Sequence, residues 1–247
     1  VGAVSLLFGI AAGAVYRMDR SPLAGLPDSL TLRRAVAYGS GGYQKLDILH
    51  APGSPRLRPA LVMLHPGAWM QGDKASHHAM MAEYAQLGYV TLSLNFRPSG
   101  VAKYPAALQD CKRAVRWLRV HAADHGVDPA RIGVTGYSSG AHLALLLTLS
   151  DDAFEGDEAH SGVSSRVQAA VGVSGVYDLL MESQGAFPNA DNDAALLRFL
   201  GESPVQNPDL ARRASPLTHL TPDAPPLLLV HGEQDRRIDA EQARHFA

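Results

Sequence analysis

The chain has a single cysteine, Cys111, so no intrachain disulfide can form and the redox compartment stays open. Positive charge is not in excess either. The 22 Lys and Arg against 24 Asp and Glu leave a net charge of −2, with no basic stripe. That excludes nucleic acid as the main partner. There is no internal repeat and no low-complexity tract, and 46% apolar with 19% charged residues rules out a disordered chain. The uncharged opening, residues 1–16, would reach about 24 Å as a helix, a little short of a bilayer's hydrocarbon core. Arg17 and Arg20 follow it, and Ala12-Gly13-Ala14 fits a signal-peptide cleavage pattern. We read residues 1–32 as an export signal or membrane anchor plus a linker, with a plain buried N-terminal helix in a cytoplasmic protein as the alternative.

What is present is one large α/β domain, expected over residues 33–247. Two strands at 34–38 and 43–50, joined by Gly39-Ser-Gly-Gly42, read as a hairpin. The short apolar runs 60–65, 89–96, 131–135, 167–174 and 227–231 do not alternate in polarity, as strands buried on both faces do not. Helical periodicity separates them at 76–87, 105–121 and 139–149. In the second of these, Ala106, Leu108, Cys111, Val115 and Leu118 share one face, with basic residues opposite. Alternation of this kind predicts a mostly parallel central sheet covered by helices on both faces. Residues 179–226 read as an irregular, lid-like insertion with one helix near 193–200, and a further helix begins at about 239.

One stretch carries chemistry. A β-branched strand meets Gly136-Tyr137-Ser138-Ser139-Gly140, and an apolar helix follows at once. This is the G-x-S-x-G nucleophile elbow in its required strand–turn–helix setting. Glycines at 136 and 140 remove Cβ atoms where strand and helix pass closely, and the helix points its free amides at any oxyanion beside Ser138. An oxyanion hole needs amides from two places. Ser139 supplies one, and the loop after the strand at 60–65 supplies the other through Gly67 and Ala68, Pro66 having no N–H to give. The orienting carboxylate is expected at the C-terminal edge of a late strand. Asp235 fits, with a turn or helix-capping role as the alternative; Asp178, after the preceding strand, is an alternative acid that reads rather as a turn residue. Trp69 and Tyr137 are expected to wall the substrate pocket.

With those residues in view, the chain resembles the α/β-hydrolase esterases and lipases, near the hormone-sensitive-lipase-like and bacterial feruloyl/acetyl esterase branches. His65-Pro-Gly-Ala-Trp69 with Gly72-Asp-Lys74 is similar to their oxyanion loop. Asn95-Phe-Arg97, Tyr104-Pro-Ala-Ala-Leu-Gln-Asp110 and Ala114-Val-Arg-Trp-Leu118 resemble the block before the elbow. Gly136 to Ala144 matches the elbow and its helix, and Ser215-Pro216 with residues 225–235 resembles the run ending in the acid. The resemblance implies a serine esterase acting through an acyl-enzyme on small acyl esters, without metal or organic cofactor. Its roles fall on Ser138 as nucleophile, Asp235 as acid, and Gly67, Ala68 and Ser139 as the hole.

The same resemblance demands a histidine after the acid. Only His245 follows Asp235, inside a predicted helix and not placed to serve as base. His65 is expected to hold its loop and His142 to pack beneath the elbow. Adjacent His77 and His78 face different sides of a helix and do not suggest a metal. The expectation is therefore an enzyme whose last strand, helix and base histidine lie beyond the residues given. Two rivals stand beside it: a serine peptidase of the same fold, and a non-catalytic binding protein that kept the fold.

Overall fold

A computed structural model describes residues 28–51, 56–150, 154–156, 160–184 and 190–247 of the chain. The stretch 1–16 read as a signal or anchor, and most of the linker after it, lie outside the described residues. Among the described residues no helix is long and apolar enough to cross a membrane.

Seven strands form one sheet in the order β1-β2-β4-β3-β5-β6-β7. β1 (Thr31–Ala37) and β2 (Lys45–His50) make the predicted hairpin, and β2 also pairs antiparallel with β4 (Val90–Leu94). From there the sheet is parallel: β4 to β3 (Arg58–Leu64), β3 to β5 (Val127–Tyr137), β5 to β6 (Ala169–Val173), and β6 to β7 (Leu227–Val230). The mostly parallel sheet expected from the alternating pattern is what the chain adopts. β4 is buried along its whole length and β3 along its last five residues, as continuous apolar runs require.

Helices cover both faces. On one side α1 (His78–Gln86) packs on a small cluster of Leu49, Leu61, Met63, Met81, Ala85 and Tyr89. A short 3-10 turn, Lys74–His77, leads into it. On the other side lies the main core, where α2 (Ala106–Val120) and α4 (Ser139–Leu149) are joined by α3 (Ala122–His125) and the insertion helices. α4 is apolar all round, and its residues 139–147 are all buried, which marks it as the central helix of the fold.

One expectation needs correcting, and one feature goes beyond what the helix pattern shows. The basic side of α2 is not solvated. Lys112 and Arg116 are almost wholly buried there and meet Glu155, with Lys112 Nζ 3.2 Å from Glu155 Oε1 and Arg116 bonded to Oε2. Their neutralising carboxylate comes from beyond the elbow, so the pattern within α2 alone could not show the burial. The insertion is also not irregular. It holds α5 (Leu179–Gln184), α6 (Ala190–Leu200), α7 (Pro208–Ala214) and a 3-10 turn, Pro216–His219. The first and third span six and seven residues. Such short helices draw their stability from packing and leave little periodic signal. The chain continues through β7 into α8 (Glu241–Phe246).

Candidate active site

The centre of the site is the turn between β5 and α4. Ser138 adopts φ 55° and ψ −123°, a conformation that costs about 1–3 kcal/mol and persists only where its surroundings impose it. They do so on both sides. A Cβ on Gly136 would lie 2.2 Å from the carbonyl oxygen of Gly140, and one on Gly140 would lie 2.1 Å from that of Leu64. Strand, helix and the end of β3 thus meet backbone to backbone. The Ser138 amide donates to Val173 at the end of β6 (2.9 Å), and its carbonyl accepts from Ala141 and His142. Its half-buried side chain has no hydrogen-bond partner among the described residues. The serine is therefore fixed through its backbone while its hydroxyl is left for another group.

The second wall comes from the loop after β3. Gly67, Ala68 and Trp69 have φ of 134°, 54° and 57° in succession. Only glycine fits the first, where a Cβ would come within 1.9 Å of the Gln71 carbonyl oxygen. The Gly67 carbonyl accepts from the amides of Met70 and Gln71 (3.0 and 3.1 Å), which closes the turn. The amides of Gly67, Ala68 and Ser139 find no acceptor among the described residues, so all three remain available as donors. Pro66, which has no amide, serves by its carbonyl: His65 Nδ1 donates to it at 3.0 Å. The His65 ring stacks on Phe96 at 4.3 Å, and burial lowers its pKa, so it holds the loop as expected.

His142 does more than pack under the elbow. Trp69 Nε1 donates to its Nδ1 at 3.1 Å, and its Nε2 donates to the carbonyl of Ala214 in α7 at 2.7 Å. The imidazole is 0% exposed, and burial pushes its pKa down to about 4, so it stays neutral with the proton on Nε2. Trp69 is also stacked on Phe199 of α6 at 4.5 Å. One histidine therefore clasps the loop after β3, the helix that follows Ser138 and the insertion.

Between these walls lies a cavity of about 40 Å³ lined by Ala68, Trp69, Ser138 and Ser139 together with residues of the insertion and Ile238. Ala68, Ser138 and Ser139 thus line one cavity, whose remaining wall is formed by the insertion with Val176 and Ile238.

A family profile described as BD-FAE matches residues 46–247. The chain belongs to the BD-FAE family. Esterase LipQ of Mycobacterium tuberculosis (strain ATCC 25618 / H37Rv) is 35% identical over 222 residues, which cover 86% of this chain and 51% of LipQ. The chain spans about half the length of the curated relatives it matches. Among solved structures, a truncated form of a carbohydrate esterase from gut microbiota superposes with a TM-score of 0.78 at 29% identity, over 87% of this chain and 81% of that one. Thermogutta terrifontis esterase 2 phosphonylated by sarin gives a TM-score of 0.74 at 27% identity, over 90% and 79%.

In this BD-FAE chain the Gly72-Asp-Lys74 and Asn95-Phe-Arg97 motifs are tied to each other beside that loop. Asp73 accepts from Ala75 to start the 3-10 turn and from Asn95 Nδ2 (2.8 Å each), while Asn95 Oδ1 takes the Lys74 amide at 2.6 Å. Arg97 forms a bidentate pair with buried Asp110. His77 bonds Ser93 and His78 bonds Asp47, on different sides, and the described residues hold no cluster fit for a metal.

The remaining site residues are placed as follows. Tyr137 ends β5 and is not among the residues lining this cavity. Asp235 follows β7 at the same carboxyl edge of the sheet as Ser138, but it does not line the cavity. Its Oδ1 accepts the amides of Arg237 and Ile238 (2.9 and 3.2 Å), a turn-forming role. Its Oδ2 is 3.6 Å from His231 Nε2, which donates to the Ile238 carbonyl at 3.0 Å. Asp178 likewise caps α5 through Leu180 and Met181. His245 is exposed on α8, and no histidine among the described residues bonds the Ser138 hydroxyl. Sequence reasoning missed Glu182 and Asn192, the polar residues of the far cavity wall, because they lie in the insertion, where no motif marks them.

Proposed function

We propose that the protein is a carboxylic ester hydrolase acting through a serine acyl-enzyme. The observation that carries this reading is the strained Ser138, whose free hydroxyl opens into the same cavity as Ala68 and Ser139. In the proposed first step Ser138 Oγ attacks the ester carbonyl. The oxyanion is held by the amides of Ser139 and Ala68, with Gly67 as a further donor, and the alcohol leaves. Such donors are worth most where they are preorganised, as the turn at 67–71 makes them. Water then attacks the acyl-enzyme and releases the acid. A general base must take the serine proton. It is proposed to be a histidine outside the described residues, with Asp235 as its orienting acceptor. The esterase activity of relatives such as LipQ and the phosphonylation of a structural neighbour by sarin fit an activated nucleophile. A cavity of about 40 Å³ holds only a few water-sized groups, which suits short acyl chains.

A fluorophosphonate probe tests the reading directly. In the full-length protein it is expected to label Ser138, and Ser138→Ala is expected to abolish both labelling and turnover of p-nitrophenyl acetate. Labelling at another residue, or full ester turnover by the alanine variant, would refute it.

A further inference from the structure

Glu182 sits on α5, in the wall of the cavity that contains Ser138. No cation pairs with it among the described residues. It is held by amides instead: Asn192 Nδ2 donates to its Oε1 at 2.6 Å and Gln242 Nε2 to its Oε2 at 3.2 Å. Both donors are fixed in turn. Asn192 also donates to the carbonyl of Arg237 at 2.6 Å. Gln242, almost wholly buried on α8, accepts the amides of Tyr177 and Asp178 and donates to the Asp178 carbonyl. Burial raises the pKa of Glu182, with Asp239 and Asp193 adding to the effect. A carboxyl placed this way cannot swing to solvent without breaking both bonds. Most of its neighbours in the cavity wall are apolar: Val176, Ala195, Leu196 and Ile238.

A carboxyl group has more acceptor sites than these two bonds use. Among the described residues only Asn192 and Gln242 donate to Glu182, so its remaining acceptor sites are not taken up by a protein donor. A substrate hydroxyl would supply one, whereas an alkyl group would leave a desolvated acceptor unpaired and a second carboxylate would be repelled. We propose that Glu182 is a specificity-determining residue, selecting esters that carry a hydroxyl on the group seated against α5 and disfavouring those that carry a carboxylate there. The inference rests on the esterase reading above and names its substrate class.

The test uses the full-length protein as wild type, Glu182→Leu and Glu182→Gln. Each is assayed on matched pairs, glyceryl acetate against propyl acetate and ethyl 3-hydroxybutyrate against ethyl butyrate, and on monoethyl succinate. A hydrogen bond to a buried charged group predicts that the wild type favours the hydroxylated member of at least one pair by about tenfold or more in kcat/KM. In Glu182→Leu that ratio should collapse towards one, and monoethyl succinate should gain about tenfold relative to ethyl butyrate. Glu182→Gln keeps an acceptor oxygen, so it should retain part of the hydroxyl preference while losing the bias against succinate. Ratios measured on one preparation do not depend on the fraction folded. Unchanged ratios in both pairs for Glu182→Leu would overturn the inference while Ser138 labelling still supported the esterase. Absence of labelling and turnover in the wild type would overturn both.

Discussion

Helix propensity and the observed packing give opposite signs for one substitution, Gly140→Ala. Gly140 is the second residue of α4, and alanine is favoured over glycine in a helix by about 1 kcal/mol, so local preference predicts stabilisation. The contacts predict the reverse. The new Cβ would lie 2.1 Å from Leu64 O, 2.7 Å from Leu64 C and 2.8 Å from His65 O. These are backbone atoms at the end of β3, and none can rotate away. An ordinary carbon–oxygen contact requires α4 to retreat by about 1 Å from a strand buried over its last five residues. Overpacking of this kind costs about 1–3 kcal/mol, and an unyielding backbone puts Gly140 at the upper end. Gly133, in β5, is the control: its nearest contact would be 3.6 Å, ordinary van der Waals distance, and it lies in a strand where alanine is tolerated. Urea unfolding of the full-length protein followed by circular dichroism reads both. Gly140→Ala is expected to lose about 3 kcal/mol, roughly 6–12 °C in Tm for a domain of this size, and Gly133→Ala to stay within about 1 kcal/mol of wild type. A Gly140→Ala protein as stable as the wild type would refute the claim that backbone contact with β3 holds the elbow in place.

Trp69→Phe keeps the aromatic stack on Phe199 but removes the indole donor to His142. It is expected to lower kcat for p-nitrophenyl acetate about tenfold with little change in KM, since the loop amides act mainly on the transition state. The pH dependence of stability follows from the buried imidazoles. His142 and His77 have folded pKa values lowered to about 4 and about 3 by burial, below the ordinary 6.5, so the unfolded chain binds protons first as pH falls. Stability is then complete above about pH 6.5 and declines towards pH 4, by about 1.4 kcal/mol per pH unit for each group; urea midpoints of His142→Gln should show a correspondingly shallower fall. Glu155→Gln removes a carboxylate that pairs with buried Lys112 and Arg116 and should cost about 3 kcal/mol in the same unfolding assay, while a loss under 0.5 kcal/mol would argue that their other partners suffice.

The parts of this molecule that are legible in its sequence are those determined by neighbours along the chain. The elbow is one: Gly136, Ser138 and Gly140 must be spaced as they are because strand and helix touch at that turn. The apolar strands are another, since burial on both faces dictates their composition. The turn after β3 could be found because Gly67 is required there by a positive φ. What stayed hidden depends on distant partners. The buried basic face of α2 is neutralised by Glu155, some forty residues away, and nothing within the helix records that. The short helices of the insertion are held by packing on the core. Glu182 reaches the cavity only because α5 turns back over the elbow, and its fixed geometry depends on Asn192 and Gln242, ten and sixty residues further on.

The clasp around His142 bears on how this protein can change. A basic ring one helical turn from the reactive hydroxyl would ordinarily compete for its proton. Here both nitrogens are already committed, one to a tryptophan and one to a backbone carbonyl, so the ring takes no part in proton traffic. That commitment ties the loop at 67–71 to α6 and α7. Remodelling those helices therefore risks loosening that loop, unless the Ala214 carbonyl and the Phe199 ring keep their places.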